Sequence, residues 1–330
     1  MAITLIVLLQ LVCAAFSCYL LIRFGPFQVI RQTIAMTAQE TGAHQYITKW
    51  FYSDKQFAQL LKGKTVTDTS SSQVKPSSTP QSNEDGNINL YAINDKLGRY
   101  NGYLMEITNP LRVHVGYTKN LGKQGETTSD IASDHHAIAA INGGGFTDAS
   151  SNLSYTGTGA NPTDFLISDG RLIYQDPNFT NNVKINVVAF DNSGNLIIGK
   201  HSINDLLKTN LNISGAFSFP NKPGIDNVLI YNGNPTYTAA DSGMGRNPRT
   251  AIGQTASGAI LLLVLDGRSV THPGATLYDA QRILKEKGAV FAVNLDGGSS
   301  TTMVYNGKIQ NSPCDPLGER TVATAIYVEK

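Results

Sequence analysis

Residues 259–268 read AILLLVLDGR, and residues 289–298 read AVFAVNLDGG. Both are apolar at nearly every position, as suits strands buried on both faces, and both end in Asp-Gly: Asp266-Gly267 and Asp296-Gly297. Between them, Leu277 to Lys287 puts Leu277, Ala280, Ile283 and Leu284 on one face of a helix, with Gly288 as its stop. Strand, helix, strand is a βαβ unit spanning 259–296, whose crossover makes the two strands parallel. Both aspartates are therefore expected at one C-terminal sheet edge, where open α/β sheets bind ligands. Neighbouring strands put them about 4.8 Å apart, and an intervening strand about twice that. One Asp-Gly is an ordinary turn signal. Two at matching ends of one unit, each followed by polar residues, point to a shared site.

Around this unit, short apolar runs alternate with Gly, Asn and Asp from about residue 89 to the C-terminus. The runs are 103–107, 112–117, 137–141, 183–190, 196–198, 228–231, 302–305 and 322–328. FDNSGN (190–195) and VYNGKI (304–309) carry hairpin turn chemistry, and Thr128 to His135 reads as a short helix. The expected class is α+β, with strand-rich mixed sheets.

The first 88 residues differ. Ile3 to Ile22 is uncharged and roughly twenty residues long, enough to cross a hydrocarbon core. Its best small-residue cleavage site, Ala15–Ser17, lies inside the run, which favours an uncleaved anchor over a signal peptide. Residues 24–62 read as a juxtamembrane helical segment, with Ile30, Ile34 and Ala38 at helical spacing and Ser53 as an N-cap. Residues 63–88 are rich in Ser, Thr, Pro and Gln without an apolar period, as in a flexible linker. The globular domain is expected over 89–330. The formal net charge of +1 gives no electrostatic case for nucleic acid. Cys13 and Cys18 lie in the apolar run, which leaves Cys314 alone in the domain and excludes a disulfide framework there.

Other loops offer candidate ligand contacts. Asn142 ends the run AIAAI and precedes Gly143, Gly144 and Gly145, whose backbone N–H groups could approach an anion. The spacing is not a dinucleotide fingerprint, because Asp148 stands where its last glycine belongs. GRNPRTAIG (245–253) reads as a loop presenting Arg246 and Arg249, of a type that binds phosphate or carboxylate. Glu319 and Arg320 precede the last apolar run. Ser299-Ser300 fails the nucleophile-elbow pattern at Thr301. His114, His135, His136 and His272 have no metal-site spacing and read as core or surface histidines.

AAINGGGF (139–146), NPRTAIG (247–253), LLVLDGR (262–268), TLYDAQRILKEKGA (276–289), NLDGGSSTTMV (294–304) and ERTVATAI (319–326) occur in the order found in the phosphodiester glycosidase family. The chain resembles that family over about 90–330, and its anchor and linker resemble those of membrane-bound bacterial members. The resemblance implies hydrolysis of the bond between a sugar's anomeric carbon and a phosphodiester. It implies Asp296 and Asp266 as catalytic residues. For substrate contacts it implies Asn142, Gly143, Gly144, Arg249, Gly297, Gly298, Ser299, Glu319 and Arg320. No cofactor is required, and a divalent cation at either aspartate stays open. The expected partner is a sugar-phosphate glycan of the cell envelope, met by an outward-facing domain on a single-pass anchor. The aspartate loop has two glycines where other members have three, which bears on substrate detail. The alternatives are a metal-dependent phosphodiesterase and a non-catalytic glycan-binding module.

Overall fold

The computed structural model describes residues 2–27, 31, 35, 45–61, 88–147, 158–208, 211–219, 227–238, 245–269 and 271–330. The chain divides into two compact units, Met1–Gly63 and Lys64–Lys330.

In the first unit, helix α1 (Ala2–Phe24) includes a stretch, Thr4–Phe24, of mean hydropathy 2.6, long and apolar enough to cross a membrane. Two short helices follow, α2 (Thr48–Phe51) and α3 (Asp54–Leu61). Ser53 caps α3 as expected: Gln56 N donates to Ser53 Oγ at 3.3 Å, and Ser53 N donates back to Gln56 Oε1 at 3.0 Å. Ile30, Ile34 and Ala38 lie outside the described residues. So does the expected linker, except Ile88, which already begins a strand.

The second unit holds three main sheets. The first runs β1 (Ile88–Asn94), β2 (Asn101–Ile107), β15 (Ile260–Leu265), β14 (Arg249–Thr255), β16 (Ala289–Asn294), β12 (Val228–Tyr231) and β13 (Asn234–Pro235). The second runs β10 (Leu196–His201), β9 (Ile185–Asp191), β11 (Ile213–Ser218), β7 (Phe165–Ser168) and β8 (Arg171–Gln175). The third runs β18 (Lys308–Ile309), β17 (Met303–Tyr305), β4 (Ala139–Asn142), β19 (Thr324–Val328) and β3 (Val113–Tyr117). A two-strand ribbon pairs β5 (Phe146–Thr147) with β6 (Asn161–Pro162). The remaining helices are α4 (Thr128–Asp134), α5 (Ile203–Leu206) and α6 (Leu277–Glu286).

Neighbouring strands pair antiparallel throughout the described residues. The βαβ strands β15 and β16 run parallel because each is antiparallel to β14, which lies between them. That intervening strand corrects the expectation of a loop at 245–253. All seven of its residues are buried, yet Arg249, Thr250, Gln254 and Thr255 are polar, so no apolar run marks it. The polar atoms are held by protein. Gln254 accepts from Leu196 N at 2.9 Å and donates to Gly194 O and Gly258 O at 2.8 and 3.0 Å.

Alternation along β15 explains its continuous apolar run. Ile260, Leu262 and Val264 enter a core shared with residues of the second and third sheets. Leu261, Leu263 and Leu265 enter a second core with Leu277, Ala280, Ile283 and Leu284 of α6. Each large apolar side chain buried this way contributes about 1.5–3 kcal/mol.

A capping box fixes the start of α6: Asp279 N donates to Thr276 Oγ1 at 3.1 Å, and Thr276 N donates to Asp279 Oδ2 at 2.9 Å. Gly288, at φ 85°, ends it in the left-handed conformation. Thr276→Ala is expected to destabilise the second unit by about 1 kcal/mol, read from the denaturation midpoint of the full chain in detergent. An unchanged midpoint would mean that the cap does not hold the crossover.

Candidate active site

The site lies where the ends of β15 and β16 meet the end of β4. Asp266 follows β15, and its N–H donates to Asn101 O at 2.7 Å. Leu295 N donates to Thr250 O at 2.8 Å, so Asp296 leaves the sheet beside the start of β14. The two aspartates thus flank one strand, with their strands roughly 10 Å apart.

The glycine after each aspartate faces the same backbone. A Cβ on Gly267 would lie 2.8 Å from Pro248 N, and one on Gly297 would lie 2.7 Å from Pro248 O. Gly298, at φ 63°, donates its N–H to Pro248 O at 3.0 Å. Both Asp-Gly turns therefore close onto the Asn247-Pro248 segment that feeds β14.

Asn142 ties the third sheet to this edge. Its Nδ2 donates to Asp296 O at 2.7 Å, and its Oδ1 accepts from Thr250 Oγ1 at 2.7 Å and Thr302 N at 3.2 Å. The side chain expected to contact substrate is 0% exposed, bridging three segments of protein. The following glycines also differ from expectation. Gly143 N donates to Thr324 O at 2.9 Å and Gly144 N to Thr324 Oγ1 at 3.0 Å, so these amides face β19 and not an anion. The loop needs glycine for close packing: a Cβ on Gly143 would meet Thr324 Oγ1 at 2.5 Å, and one on Gly144 would meet Phe217 at 2.5 Å.

Arg249 is 1% exposed, the first residue of β14 and no loop arginine. Its Nε donates to Ala275 O at 3.1 Å and its Nη2 to Gly245 O at 2.9 Å. Arg320 does reach the aspartate loop: its Nη1 donates to Ser299 Oγ at 3.2 Å, and its guanidinium lies 4.8 Å from the Phe146 ring centroid. Glu319 turns toward α4, accepting from Ser129 N at 3.0 Å and from the Ser129 hydroxyl.

The fold also gathers residues that sequence reasoning passed over. Asn311 Nδ2 and Ser312 N donate to Asp266 Oδ1 at 2.9 and 3.0 Å. Those bonds and nearby His272 favour the carboxylate, but burial outweighs them and raises the Asp266 pKa. Arg268, a non-glycine at φ 58°, donates from Nε to Asn247 Oδ1 at 3.3 Å. Its Nη1 and Nη2 each lie 3.0 Å from where a Gly298 Cβ would stand. Arg268 and Arg320 thus border the 298–299 backbone. Within the same loop, Ser300 Oγ and Thr301 Oγ1 are buried without a hydrogen-bond partner among the described residues. Such unsatisfied hydroxyls cost about 1–3 kcal/mol each. Arg268, in the DGR triplet, and Ser300 and Thr301, which follow Ser299, stand beside residues already singled out. Asn311 and His272 carry no local pattern and reach Asp266 through the fold alone. Among the described residues no group of three or more His, Cys, Asp or Glu forms a metal-binding cluster.

Two outcomes follow. Gly297→Ala puts a methyl group against backbone that cannot swing away, and a cost of about 1–3 kcal/mol is expected; an unshifted melting temperature would contradict the close packing. A raised Asp266 pKa means that the folded state holds this proton more tightly than the unfolded state. Stability from this group therefore falls as pH rises from the ordinary aspartate value through the raised one. Asp266→Asn should gain melting temperature relative to the wild type on going from pH 3 to pH 7. A constant difference would remove the linkage.

A profile of the phosphodiester glycosidase family matches residues 135–329, which include every site residue named above except Asn101 and Ser129. The mouse and human enzymes named N-acetylglucosamine-1-phosphodiester alpha-N-acetylglucosaminidase are 37% and 39% identical to the chain over 88 residues. The match covers 25% of this chain and 17% of each of theirs. An uncharacterized protein from a Bacillus subtilis prophage, YomE, is 35% identical over 83 residues, 25% of this chain and 13% of its own. The chain thus spans less than a fifth of the length of these relatives. Among solved structures, the catalytic domain of the zebrafish glucosaminidase superposes with a TM-score of 0.59 at 23% identity, covering 77% of this chain and 86% of that one. An exported protein from Burkholderia pseudomallei K96243 superposes with a TM-score of 0.52 at 16% identity, covering 70% and 74%. At these identities the structures speak for the fold, and the family profile, matched over more than half of the sequence, speaks for descent: the chain belongs to the phosphodiester glycosidase family.

Proposed function

We propose that the chain hydrolyses the bond between a sugar's anomeric carbon and the oxygen of a phosphodiester, with Asp296 and Asp266 as its two carboxylates. The supporting observation is the convergence of both Asp-Gly turns on Pro248 beside two guanidinium groups. In the reaction, water adds to the anomeric carbon while the bond from that carbon to the phosphate oxygen breaks. The leaving group is a phosphomonoester, whose second pKa is about 6, so it departs as an anion without a strong general acid. Charge neutralisation matters more. Arg268, packed against Gly298, and Arg320, bonded to Ser299, supply it.

Asp296 faces the anomeric carbon and stabilises its positive charge. Asp266, with its raised pKa, takes the proton from the attacking water. Asn142 acts as a positioning residue through the Asp296 carbonyl. The chemistry calls for no cofactor. The apolar α1 helix suits a membrane-tethered enzyme whose domain faces outward, and an envelope glycan with sugar-1-phosphate linkages is the substrate class within its reach.

Incubation of the full chain in detergent with UDP-N-acetylglucosamine and with a p-nitrophenyl phosphodiester tests this reading. Free sugar is expected, lost by about 100-fold or more in Asp296→Asn, and lowered chiefly through kcat in Arg268→Gln. The acid limb of kcat/KM should lie above the ordinary aspartate range and disappear in Asp266→Asn. Nitrophenol without free sugar would replace this reading with a phosphodiesterase. Purified envelope glycans that bind but never release reducing sugar would replace it with a binding module.

A further inference from the structure

The membrane-proximal unit folds back on its own apolar helix. Tyr19 lies five residues before the end of α1, and its hydroxyl donates to Trp50 O at 3.1 Å. Its ring centroid lies 6.2 Å from that of Phe51. Phe51 and Thr48 are buried, whereas Tyr46 and Trp50, one helical turn apart, are 54% and 53% exposed. Their rings meet edge to face at 6.0 Å. A second tie crosses the helix end: Arg31 Nη1 donates to Ile22 O at 2.8 Å and to Gly25 O at 2.6 Å. These carbonyls lie where a helix runs out of intrahelical donors. A helix leaving a bilayer needs such partners more than one in water does, because hydrocarbon offers none.

We propose that Tyr46 and Trp50 form a lipid-facing anchor, seated at the headgroup–acyl boundary of the bilayer that α1 crosses. The proposal rests on reading α1 as a membrane span. At 1.5 Å per residue Tyr19 sits about 7.5 Å inside the Phe24 end of the helix, so the Trp50 backbone bonded to it cannot stand away from the surface. That depth is where the apolar body and polar edge of tryptophan and tyrosine fit best. The charge pattern selects the lipid. Arg23, Arg31, Lys49 and Lys55 are the basic residues, and Asp54 is the one acid, among the described residues from Tyr19 to Leu61. Basic residues at this level favour anionic headgroups. The anchor would hold the base of the chain against the membrane at two points, where a lone span would leave it to swivel.

Trp50 is the only tryptophan of the chain, so its fluorescence reports this site directly. The full chain is reconstituted into phosphatidylcholine–phosphatidylglycerol vesicles whose acyl chains carry bromine at shallow or deep positions, and acrylamide is added from the aqueous side. Strongest quenching by shallow bromines, with protection from acrylamide, is expected. Tyr19→Phe removes only the hydroxyl and should raise the acrylamide-accessible fraction roughly five-fold, the weight of one hydrogen bond. Trp50 emission open to acrylamide and untouched by bromine at either depth, in protein that floats with the vesicles and resists alkaline extraction, overturns the anchor while the span survives. Protection from acrylamide without quenching by any bromine means that protein covers Trp50, and this also overturns it. Protein that fails to float overturns span and anchor together.

Discussion

The contact between Pro248 and two glycines organises the sheet edge that carries both aspartates. Gly267 and Gly297 come from different turns at the ends of different strands, yet both press on one peptide segment. That contact requires β14 between β15 and β16, the two turns to end level with each other, and glycine at both positions. A side chain at either would lift its turn off Pro248 and carry the preceding aspartate away from its partner. The Asp-Gly pairs therefore serve geometry as much as turn formation.

A second set of contacts joins two sheets at the same place. Asn142 ends β4 of the third sheet, Thr250 lies in β14 of the first, and Asp296 follows β16. The Asn142 amide links them, with Thr302 N completing its oxygen, and Asp296 N adds a bond to Gly143 O at 3.3 Å. A buried, fully engaged polar group of this kind specifies one arrangement more sharply than apolar packing does, because any slip leaves a polar atom unsatisfied. Glu319 and Arg320 extend the same logic. One caps α4 and its neighbour stacks on Phe146, so the last turn before β19 aligns with the aspartate loop.

The sequence is legible where burial is apolar and fails where it is polar. The runs in β15 and β16, the α6 face and the hairpins at 190–195 and 304–309 carry their own periodicity or turn chemistry. Asn306 and Gly307, at φ 51° and 70°, adopt the left-handed pair that such a hairpin turn requires. From these followed the shared edge and both aspartates. β14 was misread because its buried Arg249, Thr250 and Gln254 look like a surface loop when their partners are out of view. The same blindness turned Asn142 and the 143–144 amides into ligand contacts, when Thr250, Thr302 and Thr324 hold them. Asn311 enters the site from a loop that shares no pattern with it, whereas Arg268 follows Asp266-Gly267 directly and only its role at Gly298 needed the fold.

The central claim is that this edge breaks carbon–oxygen and not phosphorus–oxygen bonds. Turnover of a sugar-1-phosphodiester in ¹⁸O-labelled water, with mass analysis of both products, tests it most directly. Label at the sugar's anomeric oxygen and none in the phosphomonoester is the predicted result. Label in the phosphate would contradict the account, because attack at phosphorus needs no carboxylate facing the sugar and leaves the pairing of Asp296 with Asp266 without a purpose.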